Sequence, residues 1–130
     1  MSLLKAFNNH FKEFMDDIIS IFPKDHELKT TKFFLDNILK VKPRMVIEVW
    51  KENILDLYKE QIEQGDLDFF INKDYSNDVG MGINGNGETI LNSIEKMRTK
   101  IRDMSDENKA KSVKYIQNLA KLCNLYYLSK

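Results

Sequence analysis

From Leu3 onward, apolar residues return every three or four positions and rarely every second one. That is the period of a helix hiding one face, so the chain is directed toward helices packed on helices. The first stripe runs Leu3, Leu4, Phe7, Phe11, Phe14, Met15, Ile18, Ile19 and Phe22 and stops at Pro23, which cannot donate to the helical ladder and disfavours helix at the residue before it. Asp25 is placed to cap a second helix, with apolar positions Leu28, Phe34, Leu35 and Ile38, that runs until Lys42 meets Pro43. Pro43 suits the first residue of a third helix, whose inward residues are Ile47, Trp50, Ile54, Leu57, Tyr58 and Ile62. Gly65 follows as a natural left-handed stop.

The next stretch, "DLDFFINKDYSNDVG" at 66 to 80, reads as one or two helical turns capped by Asp66. An extended run at Phe69 to Ile71 is the alternative, but no second strand exists for it to pair with. After a glycine-rich connector at about 76–87, Ile90, Leu91, Ile94, Met97, Ile101 and Met104 form another helical stripe. Ser105 can cap the last helix, with Asp106 and Glu107 in its first turn and Val113, Ile116, Leu119, Ala120, Cys123 and Tyr127 on its apolar face. The expected fold is all-α: one domain over 1–130, an irregular or antiparallel bundle of about five main helices with a short extra helix and a Gly-rich loop.

A chain of 130 residues can bury a core without disulfides or metals, and it has one cysteine, Cys123, so no internal disulfide is open to it. A lone cysteine fits a reducing compartment. No uncharged apolar stretch approaches the twenty residues of a membrane span, and "MSLLKAFNNHFKEF" lacks the apolar block of a signal peptide, so the expectation is a protein that is neither membrane-inserted nor secreted. The net charge is zero but unevenly spread: residues 65–95 carry 1 basic and 6 acidic groups, residues 96–130 carry 9 and 3.

"VGMGINGNGE" at 79–88 holds four of the five glycines, and Gly80, Gly82 and Gly85 match the dinucleotide pattern G-x-G-x-x-G. That pattern cradles phosphate only between a strand and a helix in a βαβ unit, and the segment before it is polar and turn-rich. A Walker loop fails as well, because Asn86 and Gly87 stand where Lys and Ser or Thr are needed. The segment therefore reads as a connector, with Asp74, Asp78, Gly80, Gly82 and Gly85 as a loop that a partner protein could engage.

Asp74, Ser76 and Asp78 have the spacing of the first EF-hand ligands, but Val79 and Gly85 occupy the positions of the turn glycine and the bidentate glutamate. His10, His26 and Cys123 are too few and too scattered for a zinc or di-iron pattern, so no metal or other cofactor is expected. Both histidines fall off the apolar stripes and are expected to be exposed. Cys123 shares a face with Leu119, Ala120 and Tyr127, which suits a small buried hydrophobe better than a nucleophile. No catalytic residues are assigned, and the chain reads as a non-enzyme.

The basic end remains. Lys111, Lys114 and Lys121 lie on one stripe of the last helix, while on the preceding helix Lys96 and Lys100 share one face and Arg98 and Arg102 another. These cations could neutralise nucleic-acid phosphates, with Tyr115 or Tyr126 stacking on bases, or they could pair with the acidic 66–95 segment. Scarce arginine and zero net charge favour the pairing. Trp50 and the phenylalanines are core residues by spacing, and any of them that proves exposed becomes a partner anchor.

"FNNHFKEFMDDIISIFP" at 7–23, "QIEQGDLDFFINKDYSNDV" at 61–79 and "MSDENKAKSVKYIQNLAKLCNLYY" at 104–127 resemble a family of small helical proteins encoded by large DNA viruses of marine algae. The likeness spans most of the chain and carries no catalytic motif. It implies a protein of the virion or of the infected host cell's cytoplasm. The expected function is a non-enzymatic protein-protein interaction module, a minor virion or capsid-associated component with a capsid protein among its candidate partners. The alternative is nucleic-acid association through the lysine-rich C-terminal helix face.

Overall fold

A computed structural model describes residues 2–66 and 86–129. Among them every regular element is helical. Helix α1 (Leu3–Ile21) starts at Ser2, whose Oγ accepts from the Lys5 N–H at 3.2 Å, and stops one residue short of Phe22, ahead of Pro23. Its buried apolar residues are Phe7, Phe11, Phe14, Met15 and Ile18, one face of a 3.6-residue helix. Helix α2 (His26–Val41) is capped by Asp25, which accepts from the Leu28 N–H at 3.1 Å, and ends at Lys42 ahead of Pro43.

The third predicted helix starts at Met45, two residues beyond the expected Pro43, and is not continuous. It consists of α3 (Met45–Trp50), a π-helical turn (Lys51–Leu55) and α4 (Asp56–Glu63), with Tyr58 at φ −132°, ψ 25° inside the last piece. The cause lies in the spacing. Trp50, Ile54, Tyr58 and Ile62 are each four apart, and three such steps overrun an α-helix by about 120°. A wider π turn and a kink absorb that drift, so that Trp50, Ile54 and Ile62 are all buried. Gly65 then takes φ +75°, and the Gly65 and Asp66 N–H groups donate to the carbonyls of Ile62 and Gln61, closing the helix with a Schellman motif.

Helix α5 (Asn86–Arg102) begins inside the expected connector, taking in Asn86 and Gly87, and buries Ile90, Ile94, Met97 and Ile101, with Met104 just beyond. Helix α6 (Asp106–Leu128) is capped by Ser105, whose Oγ accepts from the Asn108 N–H at 3.3 Å. Its buried face carries Ile116, Leu119, Ala120, Cys123 and Tyr126. Helix α1 is the hub: it packs most extensively on α6 and also touches α2, α3 and α5. Trp50 is fully buried against the edges of Phe7 and Phe11, at ring separations of 6.1 and 6.2 Å.

Helix α2 departs from the expected burial. It turns Leu28, Thr31, Leu35 and Leu39 into the core, and Phe34, expected inside, is 52% exposed beside Phe33 at 65%. Thr31, which presents a methyl group as well as a hydroxyl, takes the inward place and Phe34 lies outside.

Candidate functional site

The cations singled out from the sequence separate into two groups. Arg98 is only 4% exposed and pairs with Glu95 one turn earlier, so it is a core residue and no contact point. Lys96 reaches Glu27 at 2.8 Å and Lys100 reaches Asp25, so both join α5 to the first turn of α2. The Lys100 ammonium also stands 5.4 Å from the Phe22 ring. Arg102, Lys111, Lys114 and Lys121 are exposed, the last three along the expected stripe of α6. Internal pairing thus engages Lys96, Arg98 and Lys100. Among the described residues, Asp25, the cap of α2, holds Lys100, Glu27 in the first turn of α2 holds Lys96, and Glu95 within α5 pairs with Arg98.

The aromatic partners proposed for base stacking are also committed. Tyr115 lies between Phe14 and His10, at ring separations of 5.1 and 5.0 Å, and Tyr126 is buried. His10, expected to be exposed, is half-buried there with Nδ1 3.5 Å from Glu13, whereas His26 is exposed as expected. Cys123 is fully buried, its Sγ donating to the Ile47 carbonyl at 3.7 Å, and burial pushes its thiol up to about 12. Asp74, Asp78, Gly80, Gly82 and Gly85 lie outside the described residues.

Lys100 and the Leu28 N–H hold the Asp25 carboxyl below its ordinary value of 3.8. A carboxyl whose folded pKa lies below its unfolded one stabilises the fold above the unfolded value and loses that contribution as pH falls through the folded one. Asp25→Asn keeps a capping side chain but removes the charge. Urea titrations should therefore show wild type more stable than this variant by a constant margin above about pH 5, shrinking as pH drops below 3.8. Asp25→Ala should cost about 1 kcal/mol more through loss of the cap.

Among the described residues, clefts open between helices in two places. One of about 340 Å³ lies between α4 and α6, floored by Leu55, Ile62 and Ala120 and rimmed by Lys59, Glu63, Gln117, Lys121 and Asn124. The other, about 200 Å³, lies where α2 meets α5, and its carboxylates Asp25, Glu27 and Glu95 each already hold a cation. Among the described residues no cluster of three or more His, Cys, Asp or Glu could hold a metal, and no helix is long and apolar enough to cross a membrane.

The feature that sequence reasoning missed is the outer face of α2. Phe33 and Phe34 form an edge-to-face pair with centroids 6.2 Å apart, and Val41, 74% exposed, follows two turns beyond Phe34. The signal was present as "FFL": three consecutive large apolar residues cannot all face one core in a helix advancing about 100° per residue. No protein family, curated protein or solved structure matches the chain.

Proposed function

We propose that this protein is a non-enzymatic interaction module that docks a partner protein on the outer face of α2. The supporting observation is the exposure of Phe33, Phe34 and Val41 on one helix face directed away from the core. A large aromatic left in water contributes nothing to folding and is the kind of side chain that anchors protein interfaces. The resemblance to small helical proteins of algal DNA viruses extends the reading to a minor component of the virus particle, with a capsid protein as a candidate partner. Nucleic-acid binding has weaker support, since Lys96, Arg98 and Lys100 are engaged within the fold.

The reading is tested by placing a benzophenone side chain at position 33 and, as a control, at Lys114 on α6, in cells that make the protein. A defined protein adduct from position 33, absent from position 114, is expected. Equal adducts from both positions, or none, would refute docking through α2. Quantitative mass spectrometry of purified particles tests the viral part, where a fixed copy number relative to the major capsid protein is expected.

A further inference from the structure

The outer face of α2 also carries a charge pattern that bears on the chemistry of what covers it. With about 100° per residue, Phe33, Asn37, Val41 and Phe34 span an arc of about 100°, opposite the buried Leu28, Thr31, Leu35 and Leu39. Lys29 and Lys40 border this arc beside Phe33, and Lys42 and Arg44 continue the positive charge past the helix end; all four are exposed. None of the four makes an ion pair among the described residues, whereas the neighbouring Lys32 is held by Asp16 at 2.7 Å. Glu27 is taken by Lys96, and Asp36, half-buried one turn from both Lys32 and Lys40, offsets at most one of the cations, so the border of the arc remains net positive. Cations near the C-terminal end of a helix complement its dipole, but Lys29 stands near the start of α2, where the dipole disfavours it. Its position serves the surface better than the helix.

We propose that this face takes an acidic amphipathic helix of a partner protein, its apolar side chains seated on Phe33, Phe34 and Val41 and its carboxylates directed to Lys29 and Lys40. This rests on the docking reading above and adds the partner's chemistry. A second copy of the chain fits poorly, because an antiparallel two-fold contact through this face would set the same lysines against each other and a parallel one would leave them without facing carboxylates. A lipid surface fits poorly as well. Asn37 sits amid the apolar residues with its side chain exposed, and an amide carried into acyl chains without a hydrogen-bond partner is costly. A partner helix with polar side chains can meet it.

The test is selection of displayed random 16-residue peptides on the full chain, followed by anisotropy titration of the enriched peptides. The enriched set is expected to carry Asp or Glu among large apolar residues at helical spacing. Phe33→Ser/Phe34→Ser should weaken binding at least about tenfold, Lys29→Glu/Lys40→Glu several-fold, and added salt should weaken it progressively. All four substitutions are on the surface, and unchanged urea midpoints verify that each variant remains folded. Enriched peptides that are neutral or basic, or that ignore Lys29→Glu/Lys40→Glu yet depend on the phenylalanines, overturn the acidic chemistry and leave the docking reading standing. Peptides indifferent to the phenylalanines, or none enriched, overturn this proposal. So does Phe33-dependent binding to phosphatidylserine vesicles in place of peptide, or a concentration-dependent dimer that Phe33→Ser/Phe34→Ser dissolves.

Discussion

Trp50→Ala should lower the unfolding free energy by about 3–5 kcal/mol, read by urea denaturation with far-UV circular dichroism because the substitution removes the chain's one tryptophan. The indole is fully buried at the centre of the bundle, where α3 meets α1, and it packs against the edges of Phe7 and Phe11. Truncation forfeits the transfer of the ring from water and leaves a cavity walled by two rings that cannot collapse into it without moving α1. A domain of this size has about 5–15 kcal/mol in total, so a large share of the fold's stability depends on this side chain. Trp50→Phe should be far milder, about 1 kcal/mol. The indole N–H is buried with no hydrogen-bond partner among the described residues, and phenylalanine removes that orphan donor while keeping most of the apolar volume. A loss below about 1 kcal/mol for Trp50→Ala would mean that Trp50 does not sit at the centre of the core.

Much of the helical frame could be read directly because its punctuation is chemical. Pro23 and Pro43 stop α1 and α2 through their missing donors, Asp25 and Ser105 cap the helices that follow them, and Gly65 takes the positive φ reserved for it. The interruption of the third helix was legible in principle. Trp50, Ile54, Tyr58 and Ile62 keep a strict spacing of four, which a straight α-helix cannot hold on one face. The orientation of α2 was less accessible, because Phe33, Phe34 and Leu35 offer two competing apolar faces and the choice depends on Thr31, a residue counted as polar. Tertiary packing on α1 and α5 decides between them.

The candidate site was legible only in part, for a related reason. The acidic and basic blocks around Glu95 announce that charges will meet, but the carboxylates that hold Lys96 and Lys100 are Glu27 and Asp25, brought from a distant helix by the fold. Nothing in a one-dimensional charge count identifies such partners. Docking residues suffer more, since an exposed phenylalanine and a buried one look the same until the core face of the helix is known. Their flanking lysines gain meaning only after that assignment.

The second large effect follows from a pair that is local in sequence. Glu95→Ala should cost about 3 kcal/mol, near the lower end of the range for breaking a buried ion pair. Glu95 and Arg98 are one turn apart, the geometry of an ordinary surface pair worth a few tenths of a kcal/mol, but here the arginine side chain is 4% exposed and the glutamate 29%. Removing the carboxylate takes an ionic partner from a guanidinium almost out of reach of water, so less of its desolvation is compensated. The opposite truncation is not symmetrical. Arg98→Met removes the more deeply buried partner, and methionine fills the arginine's apolar path beside a glutamate side chain that is 29% exposed, so this variant should lose only about 1 kcal/mol. The double variant should fall near Arg98→Met alone, well above Glu95→Ala, giving a coupling free energy of about 3 kcal/mol in a double-mutant cycle by urea denaturation. Additive losses would show that Arg98 is solvated independently of Glu95, and would return it to the set of cations available to a partner. The asymmetry is thus a measure of function as well as stability: a charge that the core must neutralise cannot also be offered at the surface.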